Sequence, residues 1–254
     1  MPFYVVDPRP PEGFATGGEE RNYLRFPLGY NSRPFDLPII PRSEWWDRWQ
    51  EQEKEKSSLS HLRDRHNIPS TNQGQTNYCW IHSSTAGVML VRVRQGQPHV
   101  PLSATSVGAK IKNFRNVGGW GAEGLERIAS DGICTLADWP EGPEGLKRHY
   151  DSPIVWEKAE RFKVTEWMDL EPRNLDQLVT CLLLGIPVTS DFNWWGHSVC
   201  SVWFRFADWR NLKGFEDQIW NSWSDSWGDN GMGMLQGNKA FPDGMIAPRV
   251  MVAA

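Results

Sequence analysis

Cysteine is scarce in this chain of 254 residues, which has only four, scattered singly along the sequence. That density is far below the density in small secreted scaffolds held together by disulfides, so stability must come from a packed core. Long apolar runs are also missing. None approaches the roughly 20 residues that a helix needs to cross a bilayer, so we predict no membrane-spanning segment and no membrane partner.

A secretion signal and a basic run are absent as well. The opening residues, MPFYVVDPRPPEGF, lack a basic start followed by an apolar stretch. With the scattered thiols, this predicts a reducing location, either the cytoplasm or the inside of a larger assembly such as a virus particle. The net charge is −4 and no long cluster of lysine and arginine occurs, so nucleic acid is not an expected partner.

Tryptophan, in contrast, is abundant, with 15 residues. Many of these side chains must be buried or line a groove, because so much aromatic surface is rarely left in water. The chain length fits one large domain or two lobes that share a core. Helical patterns in the first half and strand patterns in the second indicate an α+β fold.

The most informative stretch is QGQTNYCWIHSSTAGVM, residues 73–89. It begins polar and becomes apolar, which predicts a loop leading into a buried helix from Cys79 to about Arg94. Free backbone N–H groups and the helix dipole at that end favour a thiolate, which is the nucleophilic form of cysteine. The amide of Gln73 could donate to an oxyanion formed at Cys79. The alternative is a buried, unreactive thiol.

A thiolate needs a basic partner, and imidazole suits because its pKa lies near neutrality. Among the six histidines, His197 stands at the start of the strand pattern GHSVCSVWFRF. Considered alone, it could equally be a core or turn histidine. A second alternative is zinc, because Cys79-x-x-His82 and His197-x-x-Cys200 have metal-like spacing. Positions i and i+3 of a strand point to opposite faces, so we predict no metal and no cofactor.

Three segments in this order resemble the papain-like cysteine peptidases. They are Gln73-Gly74 followed by Cys79-Trp80, the histidine at a strand start, and IWNSWSDSWGDNGMGML. The resemblance implies a two-lobed α+β fold, a helical lobe and a β-barrel-like lobe with the active-site cleft between them. The sequence departs from the family at residues 76–78, where it has Thr-Asn-Tyr and the family has Cys-Gly-Ser. The interval from Cys79 to His197 is also shorter than the usual range of about 130 to 150 residues, which implies that Trp194 and Trp195 replace one wall of the cleft.

The resemblance implies a catalytic triad of Cys79, His197 and Asn221. Cys79 would attack a peptide carbonyl and His197 would protonate the leaving group. The side-chain oxygen of Asn221 would orient the imidazole, and Trp223 would shield that hydrogen bond from water. Gln73 and the backbone N–H of Cys79 would form the oxyanion hole. The expected partner is an extended peptide or protein substrate.

The segment NVGGWGAEGLERIASDGI resembles the paired glycines of the same family. By that resemblance, Gly118 and Gly119 would pair with the backbone of an extended substrate. Trp120 would wall the pocket for the second residue before the cut. The local sequence by itself also fits an ordinary glycine-rich turn before a helix.

We divide the chain into an extended N-terminal arm, residues 1–42, and a peptidase domain, residues 43–254. The helical lobe covers about 66–150 and the β-rich lobe about 151–254, with a connection over 138–160. The arm carries several aromatic residues, so we predict that it packs on the domain or docks into a protein assembly. It does not resemble the longer helical prodomain of papain-like zymogens, so an inhibitory propeptide is not predicted.

Two other functions fit the same motifs. A papain-like fold could be kept as a structural or binding component of a larger assembly, such as a virus particle, with weak or no proteolysis. Cysteine–histidine machinery also serves amidases that act on peptidoglycan peptides. The complete set of Gln73, Cys79, His197 and Asn221 favours a cysteine endopeptidase over both.

Overall fold

The computed structural model describes residues 6–21 and 33–252. The arm aromatics Phe3, Tyr4, Tyr23, Phe26 and Tyr30 lie outside the described residues. Within the described ranges, no helix is long and apolar enough to span a membrane. The α-helices are α1 Trp45–Glu55, α2 Leu59–Arg65, α3 Cys79–Arg94, α4 Ala104–Ile111, α5 Gly121–Asp131, α6 Pro153–Ala159 and α7 Leu175–Leu183.

Helix α3 is the central element and has the bounds that the sequence predicted. Every residue from Cys79 to Val93 is buried, so the helix is enclosed on all sides and needs no polar face. It packs against α4 and α5 on one side and against the sheet on the other. Gly96, with φ of +78°, follows its C-terminus and adopts the left-handed conformation that favours glycine.

The flanking helices begin where their sequences predict, since LSATSVGAKIKNFR is typical of a helix capped by Ser103 and a short helix is expected after Trp120. The side chain of Ser103 caps α4 by accepting from the N–H of Ser106 at 3.2 Å, and α5 follows directly on Trp120. The predicted connection at 138–160 contains the 3₁₀ helices Gly142–Leu146 and Arg148–Tyr150 and the whole of α6. Pro153 opens α6 at a position where its missing N–H costs nothing.

The strands form one seven-stranded sheet in the order β1-β2-β7-β3-β4-β5-β6. All neighbours are antiparallel except β1 and β2. Four segments of the second half have strand patterns, RFKVTEWMDL, IPVTSDF, GHSVCSVWFRF and FEDQIWNSW, and they form β2, β3, β4 and β5. The bounds are β1 Arg33–Pro34, β2 Val164–Leu170, β3 Val188–Phe192, β4 His197–Asp208, β5 Lys213–Trp220, β6 Met232–Gln236 and β7 Gly244–Met251.

The abundant tryptophans are largely structural. Trp45, Trp80, Trp139, Trp220 and Trp223 are almost completely buried. Trp49 of α1 stacks on Trp203 of β4 with ring centroids 6.5 Å apart, and its Nε1 donates to the carbonyl of Phe204. Helix α1 is therefore fixed to the sheet by aromatic packing, in agreement with the i, i+4 spacing of Trp45 and Trp49, which predicts one shared packing face.

Because α3 packs against β3, β4 and β7, its N-terminus meets the start of β4. The two lobes meet along this contact. The fold thereby brings Cys79, the first residue of α3, against the backbone N–H of Ser198, the second residue of β4.

Candidate active site

Cys79 is fully buried at the N-terminal end of α3. Burial raises the pKa of its thiol to about 12, and it outweighs hydrogen bonds from the backbone N–H groups of Ser198, Gly17 and Trp80, which favour the thiolate. The thiol is therefore protonated at neutral pH in this arrangement. The bond from Ser198 places the backbone next to His197 against the sulfur.

The imidazole of His197 is fully buried and is held on one side by Asn221. Its Nε2 lies 2.8 Å from Oδ1 of that residue. The ring stacks on Trp223, with centroids 4.6 Å apart and planes at 30°. Trp195 packs edge-on against another side of the ring, with centroids also 4.6 Å apart. Burial lowers the pKa of His197 to about 4, although the bond to Asn221 acts in the opposite direction.

The other imidazole nitrogen, Nδ1, is buried and has no hydrogen-bond partner within residues 6–21 and 33–252. The thiol of Cys79 and the imidazole of His197 therefore share no hydrogen bond within these ranges. Both are neutral, because burial disfavours the thiolate and the imidazolium alike.

A polar chain joins Asn221 to Gln73. The N–H of Ser222 donates to Oδ1 of Asn221 at 2.7 Å, and the hydroxyl of Ser222 donates to Oε1 of Gln73 at 2.6 Å. The side-chain amide of Gln73 is thereby oriented, with its nitrogen directed to the carbonyls of Ala15 at 2.8 Å and Thr76 at 2.9 Å. The group predicted to bind an oxyanion already binds a peptide carbonyl.

That carbonyl belongs to the N-terminal arm, which runs through the cleft. Besides the bond from Gln73, the carbonyl of Ala15 accepts from Nε1 of Trp223 at 3.3 Å. The N–H of Gly18 donates to the carbonyl of Gly196 at 2.9 Å, and Gly18 forms a parallel bridge with Gly119. Residues 15–18, which we call the cleft segment, therefore cover the sulfur and the imidazole.

The cleft segment fits only because it contains two glycines. A Cβ on Gly17 would lie 2.2 Å from the carbonyl oxygen of Asn77, and a Cβ on Gly18 would lie 2.9 Å from the backbone nitrogen of His197. Sequence reasoning predicted that the arm would pack on the domain, but it missed this location. The pair Gly17-Gly18 was the available signal, since adjacent glycines permit close approach of two backbones.

The comparisons with known proteins identify the architecture. No family model and no curated protein sequence matches the chain. Among solved structures, xylellain, a cysteine protease from Xylella fastidiosa, superposes with a TM-score of 0.62 at 16% identity, over 97% of this chain and 99% of its own. A structure from a study of the mite allergens Blo t 1 and Der p 1 superposes with a TM-score of 0.63 at 14% identity. The match covers 93% of this chain and 80% of that one.

This chain has the papain-like fold. Digestive procathepsin L 3 of Tenebrio molitor larval midgut agrees with a TM-score of 0.60 at 17% identity, over 71% of this chain and 66% of that one. The chain thus spans just under two thirds of that proenzyme's length. At these identities the likeness establishes the α+β, two-lobed papain-like architecture, as the sequence predicted, and not an activity.

Within the papain-like fold, Gly118 and Gly119 lie where a peptide backbone pairs. The N–H of Gly119 donates to the carbonyl of Gly17 at 3.1 Å, and its carbonyl accepts from the N–H of Glu19 at 3.1 Å. A Cβ on Gly118 would lie 2.6 Å from the carbonyl oxygen of Gly17. Trp120 is half-buried at the start of α5. The role of these three residues toward a substrate stays a prediction.

The remaining thiols lie away from this site. All four cysteines are free and buried, and burial raises the pKa of Cys134, Cys181 and Cys200. In the described part of the chain, no three histidine, cysteine, aspartate or glutamate side chains converge as metal ligands. His82 instead lies 3.4 Å from a carboxylate oxygen of Glu141.

Replacing Asn221 with alanine tests the imidazole orientation. Without Oδ1, the ring of His197 loses the hydrogen bond that fixes its tilt and tautomer. We expect kcat/KM toward a cleavable peptide to fall at least about tenfold, as for loss of an oriented general acid–base. Asn211→Ala is the matched control, because Asn211 bonds only to Asp208 in an exposed turn. Equal activities of the two variants would exclude this role for Asn221.

Proposed function

We propose that the chain is a papain-like cysteine endopeptidase that hydrolyses peptide bonds through Cys79, His197 and Asn221. The observation that carries the proposal is the bond from His197 to Asn221 beneath Trp223, with the neighbouring Ser198 N–H on the sulfur of Cys79. A histidine with a purely structural role in the core would be expected to form hydrogen bonds through both ring nitrogens. This arrangement instead leaves Nδ1 buried and unbonded among the described residues.

The chemistry begins when a substrate replaces the cleft segment. The proton of the Cys79 thiol passes to Nδ1 of His197, because Nε2 is engaged by Asn221. The thiolate then attacks the peptide carbonyl carbon. The oxyanion that forms accepts hydrogen bonds from the Gln73 amide and the backbone N–H of Cys79. The bond from Gln73 to the Ala15 carbonyl supports this role.

The tetrahedral intermediate collapses when His197 gives its proton to the departing amine. This leaves an acyl-enzyme, in which the substrate carbonyl is bonded to the sulfur of Cys79. Water then attacks that carbonyl and gives a proton to His197. The proton returns to the sulfur as the acid product leaves, so the thiol and the neutral imidazole are restored.

A second candidate is a binding component that keeps the fold without turnover. The observation that favours it is the filled cleft, because the cleft segment forms hydrogen bonds with Gln73, Gly119 and the sulfur of Cys79. An amidase acting on peptidoglycan peptides uses the same chemistry on another substrate.

A turnover panel separates the three functions. The full chain, with and without Gly17→Val to displace the arm, is incubated with an unstructured peptide library and with peptidoglycan stem peptides. Mass spectrometry then detects new termini. We expect cleavage within the library, abolished by prior alkylation of the enzyme. Cleavage of the stem peptides alone would support the amidase, and no cleavage by either form would support the binding component.

A further inference from the structure

A carboxylate that the proposed chemistry does not use is connected to the sulfur of Cys79 through one serine. Asp191 lies on β3, directly opposite Ser198 of β4. The hydroxyl of Ser198 donates to Oδ1 of Asp191. The backbone N–H of the same serine bonds the sulfur of Cys79. Ser198 therefore contacts the carboxylate with its side chain and the thiol with its backbone.

The bond from Asp191 limits the freedom of Ser198 beside the sulfur. Ser198 is fully buried and directly follows His197 in β4. A buried hydroxyl requires a hydrogen-bond partner, and the carboxylate supplies one. The N–H of Ser198 favours the thiolate, because a hydrogen bond to the charged form of a group stabilises that form. By holding the side chain of Ser198, Asp191 keeps this N–H in place.

The charge of Asp191 acts on Cys79 in the opposite direction. Burial is the main cause of the raised pKa of Cys79, and the nearby carboxylate of Asp191 raises it further. A negative charge close to a thiol disfavours the thiolate. Asp191 thus has two opposing effects on the same sulfur, one through the N–H of Ser198 and one through its own charge.

The ionisation of Asp191 depends on groups from several elements. Burial raises its pKa to about 6, and the bond from Ser198 lowers it. Arg21 of the arm also lowers this pKa, whereas Asp169 of β2 and Asp243, just before β7, raise it. The carboxylate therefore changes its charge within the pH range in which peptidases can be measured.

The three charged neighbours of Asp191 have ion pairs of their own. The terminal nitrogens of Arg21 lie 2.9 and 2.6 Å from the carboxylate oxygens of Asp169. Asp243 lies 3.1 Å from a guanidinium nitrogen of Arg173. Within residues 6–21 and 33–252, the hydrogen-bond partner of the Asp191 carboxylate is a neutral serine hydroxyl. Protonation of Asp191 therefore removes a negative charge from beside the sulfur without breaking a direct ion pair.

We propose that Asp191 is a positioning residue, which holds Ser198 against the sulfur of Cys79 and restrains the thiolate by its charge until the carboxylate is protonated. The inference rests on the proposed peptidase function for its consequence in hydrolysis, but not for the reactivity of the thiol. A protonated carboxyl group still has an oxygen that accepts the hydroxyl of Ser198. In mildly acidic solution the hold on Ser198 persists while the opposing charge disappears, so Cys79 ionises more readily.

The test measures the rate at which iodoacetamide alkylates Cys79 between pH 5 and pH 8. The full chain carries Gly17→Val, with and without Asp191→Asn, which keeps an oxygen acceptor for Ser198 but has no charge. At pH 5 the two chains should react at similar rates, because position 191 is largely neutral in both. At pH 8 the Asp191→Asn chain should react at least about threefold faster, since loss of a negative charge lowers the pKa of Cys79.

Asp217→Asn is the matched control. Asp217 is a buried carboxylate on the neighbouring strand β5, and it accepts from the hydroxyl of Ser201 at 2.7 Å. Its charge acts on Cys200. This variant has the same change of a serine-bonded carboxylate to an amide, and it should leave the alkylation rate of Cys79 unchanged at every pH.

Ser198→Ala is the second variant, and it keeps the test decisive if the Asp191→Asn chain is poorly folded. Loss of the hydroxyl removes a bond that lowers the pKa of Asp191. The pH at which the charge begins to slow alkylation should therefore move upward. A rate ratio between the Asp191→Asn chain and its parent that is the same at every pH, or no shift with Ser198→Ala, would show that Asp191 is only structural.

Peptide hydrolysis by the same chains separates this inference from the peptidase proposal. The ratio of kcat/KM between the Asp191→Asn chain and its parent should also rise with pH. A pH-dependent alkylation ratio without cleavage by any chain would uphold the role of Asp191 and contradict the peptidase. Cleavage with a constant alkylation ratio would contradict the role of Asp191 and leave the peptidase proposal intact.

Discussion

Replacing Gly17 with valine in the full chain should raise the rate at which iodoacetamide alkylates Cys79 at pH 7 by about 100-fold or more. Burial raises the pKa of this thiol to about 12, and the cleft segment lies against the sulfur, since the backbone N–H of Gly17 bonds it. An ordinary cysteine has a pKa of about 8.5, so relief of burial would increase the thiolate fraction at pH 7 by about three orders of magnitude. Peptide hydrolysis should increase in parallel.

The substitution acts locally because the space around Gly17 is bounded by backbone. A Cβ there would lie 2.2 Å from the carbonyl oxygen of Asn77, and backbone of a packed loop cannot move aside cheaply. The matched control is Glu12→Val, which adds an apolar side chain at an exposed arm position. An unchanged alkylation rate in the Gly17 variant, with normal folding, would mean that the arm does not restrict access to Cys79.

Replacing Cys79 with alanine should lower kcat/KM for a cleavable peptide by at least about 10⁴-fold, as for loss of other catalytic nucleophiles. The sulfur forms the covalent bond to the acyl group, and no neighbouring side chain can replace it. The unfolding temperature should change little, because alanine keeps the start of α3 helical. Thermal unfolding and peptide hydrolysis measure the two effects.

Cys134→Ala is the control for this loss. Cys134 is also a buried free thiol, but it packs in a separate small cluster with Trp139 and has no place in the proposed chemistry. It should keep its activity. Full peptidase activity in the Cys79 variant would refute the proposed mechanism, whatever the behaviour of the control.

The elements that carry the site could be predicted because their signals are local. The change from polar to apolar residues at Cys79 predicts the start of α3, and Ser103 predicts the cap of α4. The strand pattern GHSVCSVWFRF, which contains His197, predicts β4. The proximity of His197 to Asn221 could be predicted only through the family resemblance, since no local pattern joins a strand start to the end of another strand.

The pair Gly17-Gly18 indicates a close approach of two backbones, but the sequence does not say where on the domain the arm lies, for two physical reasons. The cleft segment binds mainly through its backbone, at Ala15, Gly17 and Gly18, and backbone hydrogen bonds leave almost no trace in side-chain composition. The pair of Arg21 and Asp169 joins residues 148 positions apart. Which of the many carboxylates meets a given arginine depends on the finished fold, because charge alone fixes no partner.

The most direct test of the central claim is peptide-mapping mass spectrometry after reaction with a peptidyl electrophile. The full chain carrying Gly17→Val is labelled with and without His197→Ala. We predict one adduct per chain, on Cys79, with a labelling rate at least about 100-fold lower when His197 is absent. Label spread over Cys134, Cys181 and Cys200, or labelling of Cys79 unaffected by loss of His197, would contradict the account.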